Sequence, residues 1–282
     1  MTDPVPREVD VGRGIRLTTV EAGAGPPLVF VHGGGSDWRY WEPHLERFSA
    51  HFRCLAYSRR YAWPNRNAPI VPDYSALVDS RDLESLLERW AGESVHVVAA
   101  SIGAAASLFL TVRRPELVRS LVVAEPPVLR WLLDVPGGRA AFDDFMLRGW
   151  NAAGTAFREG ARERGVGAFI DYFIGVGRFA GFPPHMRARI MDDSRDFEAL
   201  TTSGDAFPPL SREAVSALEQ PVLMLSGART PRMHALLDAE LERLLRNVER
   251  RIFPEAGHDL WIEAFQEAQD ATLAFLLARD AK

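Results

Sequence analysis

Of the 282 residues one is cysteine, Cys54, which excludes an internal disulfide framework. Long apolar runs are missing as well. None approaches the ~18 to 20 uninterrupted residues of a membrane-spanning helix, so the chain is expected to work away from membranes. The start, Met1-Thr2-Asp3-Pro4-Val5-Pro6, carries neither the basic nor the apolar region of a secretion signal, and the cytoplasm is the expected compartment. No charge of one sign dominates: the formal net charge is -5, with basic residues scattered among acids. Such a surface offers no electrostatic footprint for nucleic acid, and the expected partner is a small molecule, met by a monomer or homodimer. Internal repeats and low-complexity tracts are absent too.

What is present is ordinary soluble composition, 47% hydrophobic and 25% charged, in a length that suits one open α/β sheet with an insertion. Two strand-like runs, 7–11 and 15–21, flank Gly12-Arg13-Gly14 and predict an antiparallel hairpin. Pro27-Leu28-Val29-Phe30-Val31 is continuously apolar, as a strand buried on both faces must be. Helical spacing over 41–48, 74–90 and 102–113 then alternates with apolar runs over 52–57, 95–100 and 120–124. That alternation predicts a parallel sheet with right-handed crossovers. It lapses over about 127–218, a mainly helical, aromatic-rich stretch read as an inserted cap. Strands resume at 221–226 and 248–253, around a helix over 231–245 and before a closing helix over 265–277.

In Val97-Val98-Ala99-Ala100-Ser101-Ile102-Gly103-Ala104 a serine stands where a buried strand meets a helix, with small residues two before and two after it. A serine there can be a simple helix cap. The strand–turn–helix context instead resembles the nucleophile elbow G-x-S-x-G, with Ala99 in the place of the first glycine. His32-Gly33-Gly34-Gly35 follows an earlier buried strand, where glycines let backbone N–H groups approach a substrate. It is not a phosphate loop, since no Gly-Lys-Ser/Thr follows it, and a dinucleotide fingerprint needs a different glycine spacing. The backbone N–H groups of Gly34 and Ile102 are the expected oxyanion hole.

Of the seven histidines, only His258 lies in the loop after the last strand, where the base of a serine–acid–histidine order falls. His32 is expected to be structural, and His44, His51, His96, His185 and His234 to be surface or packing residues. No ligand spacing supports a metal, and no cofactor is expected. The loop after the 221–226 strand reads Gly227-Ala228-Arg229-Thr230-Pro231, and threonine cannot carry the negative charge of a triad acid. Glu125, at the carboxyl end of the 120–124 strand, is the better candidate. Asp238 falls within a helix, and Asp259 adjoins the base too closely to orient its ring from behind.

Through Val31-His32-Gly33-Gly34, Ala99-Ala100-Ser101-Ile102-Gly103 and Gly257-His258, the chain resembles the α/β-hydrolase superfamily over nearly its whole length. A glutamate after the sixth strand also resembles zearalenone-lactonase-like enzymes, although their glycine loop differs. The resemblance implies an α/β-hydrolase fold, with a mostly parallel eight-stranded sheet, helices on both faces and a helical cap. It further implies a serine hydrolase that cleaves an ester or lactone of a hydrophobic small molecule, with Ser101, His258 and Glu125 as triad. Dehalogenases and epoxide hydrolases of this fold use an aspartate nucleophile, against which Ser101 argues. C–C bond hydrolysis, cofactor-free oxygenation or lyase chemistry, and a non-catalytic ligand receptor are the alternatives kept open. Gly33, Trp131, Trp150 and Trp261 are candidate substrate contacts, and Arg59 or Arg60 is expected to tether loops at the site rim by ion pairs.

Overall fold

The computed structural model describes residues 5–280. Eight strands, β1 (Arg7–Gly12), β2 (Ile15–Ala22), β3 (Pro27–Val31), β4 (Arg53–Tyr57), β5 (Val95–Ala100), β6 (Val118–Ala124), β7 (Val222–Gly227) and β8 (Val248–Phe253), form one sheet in the order β1-β2-β4-β3-β5-β6-β7-β8. The opening hairpin closes through Arg13 and Gly14, both at positive φ, between the paired residues Gly12 and Ile15. This two-residue turn matches the twist of the strands it joins. β1 and β2 run antiparallel, and from β4 to β8 every pairing is parallel.

Alternate residues of the central strands enter two separate cores. Val29, Val31, Val97, Ala99, Leu121 and Val123 face one side of the sheet. Leu28, Phe30, Val98, Ala100, Val122 and Ala124 face the other. The first side is covered by α2 (Ala76–Trp90), α3 (Ser101–Arg113) and a later helix, Arg232–Leu244, while α1 (Glu42–Ser49) and the closing helix Phe265–Asp280 cover the second. Burial on both faces is why these strands read as unbroken apolar runs rather than as alternating ones.

Between β6 and β7 the chain runs through α4 (Gly138–Phe145), α5 (Asn151–Arg158), α6 (Arg162–Ile174), α7 (Pro184–Asp192), α8 (Ser194–Thr201) and α9 (Arg212–Ser216). The later helices are α10 (Arg232–Leu244), α11 (Leu260–Glu263) and α12 (Phe265–Asp280). A π-helical turn, Met146–Trp150, joins α4 to α5 without a break. Residues five apart lie about 140° apart around an α-helix. The wider turn brings Phe145 and Trp150 back toward one face, with ring centroids 5.7 Å apart, and both border the site described next. No helix among the described residues is long and apolar enough to cross a membrane.

Candidate active site

Every group singled out as chemical sits at the carboxyl edge of the sheet, where the strand ends of an open α/β sheet leave a crevice. Ser101 follows β5 with φ of 50°, a left-handed conformation that turns its side chain out of the strand–helix junction. A Cβ at Gly103 would lie 2.3 Å from the His32 carbonyl oxygen, so only glycine lets α3 pack this closely on the end of β3. At position 99 a methyl group is accommodated, fully buried.

Ser101 Oγ lies 3.1 Å from His258 Nε2, and His258 Nδ1 lies 2.6 Å from Glu125 Oε2. Residues 101, 125 and 258, ending three different strand connections, thus form one hydrogen-bonded relay. Because the carboxylate can only accept, Nδ1 carries the proton and Nε2 is free to accept from the serine hydroxyl. Glu125 is wholly buried and itself at positive φ, 48°. Its Oε1 accepts from the Gly227 amide at 2.8 Å and its Oε2 from the Thr230 hydroxyl at 2.6 Å. The threonine passed over as an acid is therefore the group that holds the acid in place.

The other two candidate carboxylates do not join the relay, and Asp238 Oδ1 has no hydrogen-bond partner among the described residues. Asp238, in α10, accepts from the Ser226 hydroxyl at 2.5 Å; burial, reinforced by the charge of Glu125, pushes its carboxyl up to about 7. Asp259 accepts from the Tyr40 hydroxyl at 2.7 Å.

Gly34 and Ile102 are neighbours: a Cβ at Gly34 would lie 3.8 Å from Ile102 Cγ2. Both border a small inner cavity of about 20 Å³ together with Ser101. A larger groove of about 690 Å³ also borders Ser101, between Gly33 and Trp261 of the core and Phe173, Phe182 and Met186 of α6, α7 and their connection. Its volume is that of a small-molecule site. Trp150 borders the inner cavity, and Gly33 and Trp261 the groove. Trp131 borders neither: it is buried, its indole N–H donates to the Leu210 carbonyl at 2.8 Å, and Arg212 lies over its ring. The expected substrate contact at Trp131 is corrected to packing.

His32 has a structural place. Its Nε2 accepts from the Arg59 amide at 2.8 Å, and its Nδ1 lies 2.8 Å from the Gly33 carbonyl. Burial, and next the charge of Arg59, hold its pKa well below the ordinary histidine value. Arg59, 1% exposed, donates to Asp79 at 2.6 Å, to Asp196 of α8 at 2.5 Å and to the Gly33 carbonyl at 3.0 Å. Asp196 in turn accepts from the Gly35 amide at 2.9 Å. The glycine loop is thereby held from both ends by one buried ion cluster. Gly35 is required here, with φ of 63° and no room for a Cβ, which would lie 1.7 Å from the Phe197 ring. Arg60 pairs separately with Asp82 at 2.5 Å.

A second acidic contact joins the connection after β4 to the insertion. Asp193 is buried and accepts from the Trp63 amide at 2.8 Å. Burial, together with its neighbour Asp37, pushes its carboxyl up to about 9. Between the unfolded value near 4 and the folded value, the native state holds the extra proton, so stability falls as pH rises through that window. Asp193→Asn keeps an acceptor for Trp63 and removes the titration. The variant is expected to match the wild type near about pH 4 and to melt several degrees higher at about pH 8.5. Equal pH dependence of Tm in the two proteins, followed by circular dichroism, would contradict this account.

One member of the site was missed from the sequence. His234, expected to be a surface or packing residue, is completely buried and stacks on His258 with ring centroids 4.2 Å apart and planes 17° apart. Local sequence carries no signal for it, because the approach of α10 to the loop after β8 is set by the sheet. Glu125, His234 and His258 present ligand atoms all within 4.8 Å of one another. This donor set suits a divalent cation in kind, but two of its members already hydrogen-bond each other through His258 Nδ1 and Glu125 Oε2.

Comparison with known proteins completes the description. Residues 26–265 match a family model described as alpha/beta hydrolase fold. Over 285 residues the chain is 26% identical to a protein of Pseudomonas putida named dihydrolipoyllysine-residue acetyltransferase component of acetoin cleaving system, covering 97% of this chain and 70% of that one. It is 32% identical over 123 residues to 2-(acetamidomethylene)succinate hydrolase of Mesorhizobium japonicum, but spans only 42% of that relative's length and 43% of its own. Among solved structures, the carboxylesterase CesB of Bacillus subtilis superposes with a TM-score of 0.72 at 19% identity, covering 97% of this chain and 91% of that chain. At that identity the likeness is one of fold.

Proposed function

The chain belongs to the α/β-hydrolase family, and from that premise we propose that it is a serine hydrolase cleaving a carboxylic ester or lactone of a hydrophobic small molecule through an acyl-enzyme. The observation that carries this reading is the unbroken relay from Ser101 Oγ through His258 to Glu125, opening onto a cavity lined largely by apolar side chains.

His258 Nε2 takes the Ser101 proton as the oxygen attacks the carbonyl carbon, and then returns it to the departing alkoxide. Glu125 keeps Nδ1 protonated and balances the transient imidazolium charge. The amides of Gly34 and Ile102 stabilise the oxyanion; Ile102 stands at the first turn of α3, where backbone N–H groups lack intrahelical partners. Neither amide has another hydrogen-bond partner among the described residues. Loss of one such donor costs about 3 to 4 kcal/mol of transition-state stabilisation. Water entering on the groove side, activated by His258, releases the acid and restores the serine.

The leaving group must reach His258, and His258 borders the groove but not the inner cavity. The alcohol half therefore occupies the groove and the acyl half points inward. Treatment with a fluorophosphonate and peptide mapping by mass spectrometry tests the reading. A single adduct is expected on Ser101, whereas an adduct on another residue, or none, refutes it.

A further inference from the structure

His234 is costly to the fold as it stands. Its ring is fully buried and neither Nδ1 nor Nε2 has a hydrogen-bond partner among the described residues. An unpaired buried polar atom is destabilising, and one kept in a folded protein calls for an explanation. Burial, and next the proximity of His258, hold its pKa well below the ordinary value. The ring is therefore neutral, with one donor and one acceptor.

The ring borders the inner cavity. Ser101, Gly34 and Ile102 border the same cavity, and the remaining walls include Phe145, Trp150, Phe169, Phe207 and Leu200. His234 is thus the one polar side chain, apart from Ser101 and the Trp150 indole, in an aromatic box beside the reacting carbonyl. The box has about 20 Å³ of free space, enough for about one water molecule. An anion is disfavoured there, because the neutral ring supplies no counter-charge and an oxygen of Glu125 lies within 4.8 Å of a His234 nitrogen.

We propose that His234 is a substrate-binding residue that hydrogen-bonds an uncharged oxygen, as hydroxyl, keto or ether, carried by a short acyl group close to the scissile carbonyl. This rests on the serine-hydrolase reading and narrows it: the substrate class is esters or lactones with a compact, oxygenated acyl half and a bulky apolar alcohol half. The acyl oxygen gives the histidine the partner it lacks. A substrate with only methylene groups at that place leaves both nitrogens unpaired, which is the stronger form of discrimination available to a buried site.

The test uses two nearly isosteric esters, p-nitrophenyl methoxyacetate and p-nitrophenyl butanoate, and reads the ratio of their kcat/KM values. The ratio of one preparation is independent of its active fraction, and comparing variants cancels the intrinsic difference in ester reactivity. In His234→Phe the ratio is expected to fall about 10- to 100-fold below that of the wild type. His234→Gln, which keeps a donor and an acceptor, should recover part of it. An unchanged ratio, with both esters slowed alike, would reduce His234 to a packing partner of His258 and overturn the proposal. Stoichiometric zinc in the purified wild type, lost in His234→Phe, would overturn it in favour of a metal at the same nitrogens. If the wild type turns over neither ester and shows no acyl adduct on Ser101, the hydrolase reading itself fails and the proposal with it.

Discussion

Glu125→Gln is expected to lower kcat for an activated ester by about 10⁴-fold while leaving KM within a few-fold. The reason lies in the donors that surround this side chain. Glu125 accepts three hydrogen bonds, from His258 Nδ1, the Thr230 hydroxyl and the Gly227 amide. A glutamine has one carbonyl oxygen to offer. If that oxygen faces Gly227, the NH₂ group faces His258 and stabilises the tautomer protonated on Nε2, which cannot accept the Ser101 proton. If it faces His258, the NH₂ group opposes the Gly227 N–H in a buried site, at the cost of an unpaired donor. Either orientation removes the counter-charge of the imidazolium. Asp238 stands outside the relay: one of its oxygens accepts from Ser226, and neither oxygen hydrogen-bonds His258. The rate of fluorophosphonate labelling should fall alongside kcat, since both need the same proton transfer. A variant within tenfold of the wild type in both measurements would remove Glu125 from the relay.

That the acid could be sought at position 125 at all shows where sequence reasoning carries. A buried strand announces itself by its unbroken apolar run, and its last residue stands at the sheet edge by geometry alone; Ser101 and Glu125 are found this way. The elbow is legible because Gly103 answers to a backbone clash that no other residue avoids. Thr230 was legible only as a missing aspartate. Its hydroxyl reaches Glu125 from a different strand connection, and such a partnership leaves no pattern in either segment.

His234 and Trp131 show the same limit from opposite directions. His234 stands 24 residues before His258 in the chain, in a helix that reads as an ordinary amphipathic one, yet the sheet lays its ring on the His258 imidazole. Trp131 was credited with a substrate contact because an aromatic residue in an insertion can face either a pocket or a core. Its indole is committed to Leu210 inside the core. Composition supplied the aromatic character of the insertion, but only the π-helical turn at Met146–Trp150 explains how two large rings five residues apart converge on one small cavity. Periodicity arguments assume a constant turn and lose track at such a place.

The remaining large effect is structural in origin and catalytic in consequence. Arg59→Met is expected to destabilise the protein by about 3 to 5 kcal/mol, a drop in Tm on the order of 10 °C for a chain of this size. The guanidinium is the shared partner of Asp79 and Asp196, both buried to within 1% of complete. Its removal leaves two carboxylates facing each other without compensation. Lysine is not an adequate replacement, since one ammonium cannot span both carboxylates and the Gly33 carbonyl as the planar fork does. The penalty belongs to the unpaired charge rather than to the loss of an attraction. Asp79→Asn and Asp196→Asn added to Arg59→Met should therefore recover much of the lost Tm. Activity should not recover in parallel. Asp196 is the acceptor that holds the Gly35 amide, and Arg59 the donor that holds the Gly33 carbonyl. Between those two residues lies Gly34, whose N–H points at the oxyanion in the mechanism we propose. The triple variant is expected to refold with a Tm near the wild type but with kcat reduced at least tenfold, of the order expected when one oxyanion donor is mispositioned. Recovery of stability and kcat together would show that the glycine loop keeps its shape without the cluster, and would detach the ion network from the chemistry.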